Sequence, residues 1–162
     1  SGCGKTTVGR LLARELGCEF LDADDFHPEA NIAKMAKGVA LTDDDRWPWL
    51  DAIAAAMHER AARGSGAVIA CSALKEAYRD RLCRGMGAVD EARIVYLKGD
   101  TVTIAPRLAS RSDHYMPASL LDSQFAALEE PGDAIVVDIR QPTNEQVRQI
   151  AAALQSTSDS AA

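Results

Sequence analysis

The chain begins "SGCGKTT", a run whose residue types are those of a phosphate cradle. Gly4, Lys5 and Thr6 complete the pattern G-x-x-x-x-G-K-[ST], with Ser1, Gly2 and Cys3 in the positions before them. Each residue type has a task. Glycines let successive N–H groups turn inward and approach phosphate oxygens closely. A helix starting near Lys5 points the positive end of its dipole at the same anion. Lys5 would reach the β- and γ-phosphates, and the Thr6 hydroxyl would face Mg²⁺. Thr7 stands where a dinucleotide loop G-x-G-x-x-G needs its last glycine, so a Rossmann cradle does not fit. The GTPase signatures D-x-x-G and N-K-x-D are absent from the sequence. Transfer of a phosphoryl group to a small molecule suits a chain of this size.

Acids form the second group. In "FLDADDFHP", Asp22 and Asp24 have the i, i+2 spacing that points two strand residues the same way, at the sheet edge where α/β proteins bind ligands. Such a pair suits a Mg²⁺-bound water and a substrate hydroxyl. The alternative is that these acids cap the helix near Pro28, the reading favoured for Asp25. In "TDDDRWPWL", Asp43 and Asp44 read as acids stabilising a helix N-terminus. Arg46 is at the wrong end of the dipole for a cation. A bidentate grip on a carboxylate ligand would explain it, and so would an internal pair with an Asp. Trp47 and Trp49 read as packing residues.

The elements that must hold these groups alternate. Residues 5–16 read as a helix with Val8, Leu11, Leu12 and Leu16 on one face and Gly17 as its stop. "CEFLDAD", "GAVIACS", "ARIVYLKGD" and "DAIVVDI" read as four strands. Helical patterns lie between them: 28–38, 42–63 with a Thr42–Asp45 capping box, 74–85, and a helix capped by Asp100 that Pro106 should kink or shorten. Two more follow, one from Pro117 to about Glu129 and a last one ending near Leu154, before a polar tail over 156–162 expected to be disordered. Strands alternating with helices give right-handed βαβ units and a parallel sheet, here a three-layer α/β domain over 1–155.

Composition narrows the partners. The 162 residues carry a net charge of −6, which argues against a nucleic-acid or anionic-membrane surface while leaving room for one basic pocket. No apolar run approaches the ~18 residues of a membrane span. The four cysteines form no C-x-x-C pair, so reduced thiols and a cytoplasmic location are expected. A homodimer is left open.

Taken in order, "SGCGKTT", "FLDADDFHP", "NIAKMAKGVALTDDDRWPWL", "CSALKEAYRDRL", "VYLKGD", "HYMPASLLDSQFAALEEP" and "VVDIRQP" resemble gluconokinases, of the shikimate-kinase-like branch of P-loop kinases. The cradle is generic, whereas the D-x-D-x-x-H-P, D-D-D-R-x-P-W-L and C-S-A-L-K-x-x-Y-R-D blocks are specific. The resemblance implies ATP-dependent phosphorylation of the 6-hydroxyl of D-gluconate, with ATP and Mg²⁺ required. It implies that Asp24 is general base or hydroxyl orienter, that Asp22 holds a Mg²⁺ water and that Arg46 clamps the gluconate carboxylate. His27, Lys34 and Arg79 are further pocket candidates, His27 serving equally well as a residue at the start of a helix. "RLASRSDHYMP" resembles this branch's lid, at about 107–120. Arg111 is then the candidate for transition-state charge and Arg107 for stacking near adenine, with Pro142 on adenine's other side. A solvated helix face is the plainer account of both arginines.

Two other readings remain. One is a different small-molecule kinase of the same branch, and the other is a nucleotide-binding module without catalysis. The cradle also needs a strand in front of it. In this branch that strand lies mid-sheet, so a fragment of a longer protein with a divided sheet is expected.

Overall fold

The structure, a computed structural model, describes residues 2–84, 92–109 and 118–159. The first helix, α1 (Lys5–Leu16), starts at Gly4 and stops at Gly17, both with left-handed backbones, φ 99° and 66°. Only glycine adopts these angles without a steric penalty. The buried face of α1 is Val8, Gly9, Leu12 and Ala13. Leu11 and Leu16, expected on that face, are exposed. The helix is rolled toward Gly9 because the sheet passes close there. A Cβ added at Gly9 would sit 2.7 Å from Phe20 Cε2.

Strand β1 (Glu19–Asp22) runs parallel to β2 (Ala67–Ala70), with Glu19 opposite Ala67 and Asp22 opposite Ala70. Strand β3 (Val95–Lys98) runs parallel to β4 (Ile135–Asp138), with Lys98 opposite Asp138. Among the described residues the two pairs share no ladder. Helix α1 packs against both. Its Val8 and Leu12 pack with Val68 of the first pair, with Val95, Leu97, Ile135 and Val137 of the second, and with Val147 and Ile150 behind.

Between β1 and β2 lie a 3-10 turn (Ala23–Phe26), α2 (Glu29–Ala36) and α3 (Asp43–Ala62). Helix α4 (Glu76–Cys83) follows β2. Ala23, Trp49, Leu50, Ile53, Tyr78 and Leu82 make a second core joining these elements. After β3 come α5 (Thr101–Ala109) and α6 (Ala118–Ala127), and after β4 comes α7 (Thr143–Asp159). Helix α5 runs through Pro106 to Ala109, and α7 continues to Asp159, beyond the expected stop and into the expected tail. Ile104 of α5, Leu121 of α6 and Ile139 after β4 form a third core, against which Cys3 and Leu108 rest. Among the described residues no helix is long and apolar enough to cross a membrane.

Candidate active site

Both parallel pairs end on the same side, and the cradle and the acids collect at that edge. Gly2 and Gly4 have φ of 78° and 99°. Gly4 caps α1 without any side-chain hydrogen bond, so the first-turn N–H groups of α1 are turned toward whatever lies in front of the loop. The loop is pressed from behind by α5: a Cβ on Gly2 would lie 2.8 Å from Leu108 Cγ. Lys5 is the first residue of α1 and lines a cavity of about 260 Å³ that also touches Cys3, Cys71, Ser72, Arg79 and Leu97. Burial pushes the Cys71 thiol up to about 12, which keeps it an inert core group. Ser1 lies outside the described residues.

The Thr6 hydroxyl donates to Asp22 Oδ2 at 3.1 Å, which brings together the two residues expected around Mg²⁺. Asp24 arrives differently from its expected place. Strand β1 stops at Asp22, whose Oδ1 accepts from the Asp24 N–H at 3.3 Å and caps the 3-10 turn. The alternation of a strand therefore does not aim the two acids together. A side chain bonding to the backbone two residues on competes with the strand ladder and turns the chain. Asp24 is exposed on that turn.

His27, just after the turn, stacks on Trp49 with centroids 4.5 Å apart and planes 10° apart. Trp49 is itself fixed by donating Nε1–H to the Ala23 carbonyl at 2.7 Å. The His27 pKa is held below its ordinary value, first by burial, with the Asp24 charge opposing and the Arg46 charge adding. His27 thus lies within electrostatic reach of both Asp24 and Arg46. Arg46 donates from Nη1 to the Tyr78 hydroxyl at 3.3 Å and to Asp43 Oδ1 at 3.5 Å, the second at the limit of a hydrogen bond.

Asp43, read from its position as a helix-dipole acid, is the centre of this cluster. Lys75 Nζ donates to both its oxygens, at 3.0 and 2.8 Å, and the Tyr78 hydroxyl donates to Oδ1. These bonds, Lys75's first, hold the Asp43 carboxyl below the usual range, and the same bond raises Lys75. Lys75 and Tyr78 escaped the sequence reading. They lie in the C-S-A-L-K-x-x-Y block, so the signal was present, but nothing in their spacing linked them to Asp43 on a distant segment.

Two pocket candidates have other partners. Lys34 Nζ pairs with Asp45 Oδ1 at 2.6 Å, clipping α2 to the start of α3. Buried Arg79 donates Nη1 to the carbonyls of Ala73 and Leu74, at 3.1 and 3.0 Å, and so braces the loop after β2. Arg107 Nη2 donates to the Ile139 carbonyl at 2.9 Å, which places α5 beside the segment leading to Pro142. The Pro142 carbonyl accepts from the N–H of Glu145 and of Gln146 at the head of α7. Arg111 and most of the expected lid, 110–117, lie outside the described residues.

The pattern of the shikimate kinase family matches residues 1–156. A probable gluconokinase of Mus musculus is 48% identical over 145 residues, covering 81% of this chain and 79% of that one. The gluconokinase of Gluconobacter oxydans is 50% identical over 135 residues, with 82% and 73% covered. The chain belongs to the gluconokinases of the shikimate kinase family. The crystal structure of a gluconokinase from Sinorhizobium meliloti superposes with a TM-score of 0.84 at 42% identity, over 99% of this chain and 90% of that one. In this gluconokinase-family chain Thr6 of the cradle, Asp22 and Asp24 are joined by hydrogen bonds, and the charges of Asp24 and Arg46 both act on His27.

Proposed function

We infer that this chain transfers the γ-phosphoryl group of ATP to the 6-hydroxyl of D-gluconate, giving 6-phospho-D-gluconate and ADP. The observation that supports it most is that Asp24 and Arg46 both act electrostatically on one side chain, His27. The carboxylate suits a hydroxyl and the guanidinium a carboxylate, as a polyol acid requires.

Lys5 and the first-turn N–H groups of α1 hold the β- and γ-phosphates and neutralise the charge that spreads over the transferred group. Thr6 and Asp22 offer a hydroxyl and a carboxylate oxygen within hydrogen-bond distance, a hard oxygen set that suits Mg²⁺. Bound there, Mg²⁺ would supply charge neutralisation at the phosphate oxygens. Asp24 accepts the O6 proton as the new O–P bond forms and the bond to ADP breaks. Arg46 fixes the far end of the acceptor, so that O6 is held in line with the γ-phosphorus. Arg107 and Pro142 flank the adenine, and Arg111 meets the transferring charge.

The test is ADP release with a panel of acceptors, D-gluconate, shikimate and neutral sugars, with the phosphorylated carbon identified by phosphorus NMR. Gluconate-dependent release with phosphate on carbon 6 is expected. Preference for another acceptor, or ATP binding without turnover, would overturn the assignment.

A further inference from the structure

Two cations and one carboxylate meet where α3 and α4 begin. Asp43 opens α3, Lys75 immediately precedes α4 and Tyr78 lies in its first turn. Both cations approach the Tyr78 ring: Arg46 Cζ is 5.6 Å from its centroid and Lys75 Nζ 5.4 Å. The ring quadrupole attracts both. Trp47 packs edge-on against the same ring, 5.7 Å away, and limits its rotation. Asp43 offsets one of the two positive charges, and the N-terminal dipoles of α3 and α4 add to the surplus. The cluster is open to an incoming molecule, with the side chains of Arg46, Asp43 and Lys75 exposed by 30%, 44% and 34%. Asp43 Oδ1 is crowded, and its link to Arg46 is the longest of the set. An ammonium group has three donors. Two of those of Lys75 go to Asp43 and the third faces the Tyr78 hydroxyl, the contact that a second carboxylate would replace.

We propose that Lys75 is a second cation of the acceptor clamp, selecting with Arg46 for acceptors that carry a carboxylate, while Asp43 and Tyr78 act as positioning residues that hold both cations between turnovers. The inference rests on the gluconate reading above. Asp43 is a carboxylate that both cations bind. An arriving carboxylate takes the weakly held Arg46 and replaces the Tyr78 hydroxyl at Lys75, and Asp43 keeps Lys75 in place.

The test compares gluconate with gluconamide, which has the same hydroxyls and no charge. Lys75→Gln keeps an N–H for Asp43 and removes the charge. It should raise the KM for gluconate about tenfold to a hundredfold, while that for gluconamide stays within about twofold. Lys75→Arg should restore most of the gluconate preference. Thermal melting and ATP titration of each variant check the fold. If Lys75→Gln weakens both acceptors alike, or leaves their ratio as in the unaltered protein, Lys75 is structural and the proposal fails. Should Lys75→Gln not fold, the unaltered protein decides. The KM for gluconate must then rise with ionic strength while that for gluconamide does not, and parallel behaviour overturns the proposal. Failure of the unaltered protein to phosphorylate gluconate is a separate result, which removes the function reading and this inference with it.

Discussion

In the proposed transfer Lys5 serves ATP and Asp24 the acceptor, so their substitutions should fail in different ways. Lys5→Ala removes the charge opposite the β- and γ-phosphates, and turnover should drop by about a hundredfold to a thousandfold or more, as for loss of a preorganised electrostatic donor. Asp24→Asn should leave ATP affinity nearly unchanged and lower turnover sharply, because only the acceptor hydroxyl loses its partner. Near-normal turnover in Asp24→Asn would remove the base assignment. Arg46→Lys keeps the charge but replaces a planar fork with a point charge. The KM for gluconate should rise by the equivalent of about 1–3 kcal/mol, and an unchanged KM would leave Arg46 as the structural partner of Tyr78 and Asp43. The sequence already marked Lys5, Asp24 and Arg46 by type and spacing. It gave Asp43 the plain task of an N-terminal acid, since a charge on a helix end looks the same in a sequence whether or not another segment's Lys75 grips it.

At the scale of an element, the start of α3 carries Arg46, the proposed acceptor clamp. Thr42 and Asp45 form a reciprocal capping box, with Asp45 N–H donating to Thr42 Oγ1 at 3.3 Å and Thr42 N–H to Asp45 Oδ2 at 2.9 Å. The same carboxylate takes Lys34, and the Asp45 carbonyl accepts from buried Asn31 at 2.8 Å. One residue therefore fixes α2, the cap and the first turn that presents Asp43 and Arg46. These hydrogen bonds, that of Lys34 first, draw the Asp45 pKa down from 3.8 to about 2. The unfolded chain binds this proton at higher pH than the folded one. The stabilisation is thus complete above pH 4 or so and is lost as the pH falls through about 2. Asp45→Asn should flatten that part of the pH profile of the thermal midpoint, and an identical slope in both proteins would show that the pair contributes nothing. Thr42→Ala should cost about 1 kcal/mol in urea unfolding. It should also raise the KM for gluconate more than that for ATP, since the frayed turn holds Arg46.

For the whole molecule, α1 packs against both strand pairs. Val8 and Leu12 are buried, 5% and 4% exposed, against side chains of both strand pairs. Trp47 and Trp49 report on the core around α3 and α4, whereas far-ultraviolet circular dichroism reports on every helix. The two signals should follow one urea transition in the unaltered chain. Leu12→Ala should destabilise it by about 2–5 kcal/mol, the range for such truncations, and should separate the tryptophan transition from the helical one. Coincident curves in Leu12→Ala would mean that the coupling runs elsewhere.

The sequence by itself determined the order of elements, the parallel pairing and the cradle. All three rest on local signals: periodicity, the glycines at 2, 4 and 17, and the Gly-Lys-Thr run at the head of a helix. Only the tertiary structure decided how the acids are used. Asp22 turns the chain by capping its own loop, so Asp24 leaves the strand and is exposed on a 3-10 turn. Asp43 is claimed by Lys75 and Tyr78, which are 32 and 35 residues further along. Lys34 and Arg79, read as pocket residues, are drawn to Asp45 and to backbone carbonyls. The physical reason is one of range. Helix and strand periods, caps and glycine turns are fixed within a few residues, so they can be read along the chain. The partner of a charged side chain is chosen by whatever folding brings within 3 or 4 Å in a site of lowered dielectric, and that choice is made between segments the sequence keeps apart.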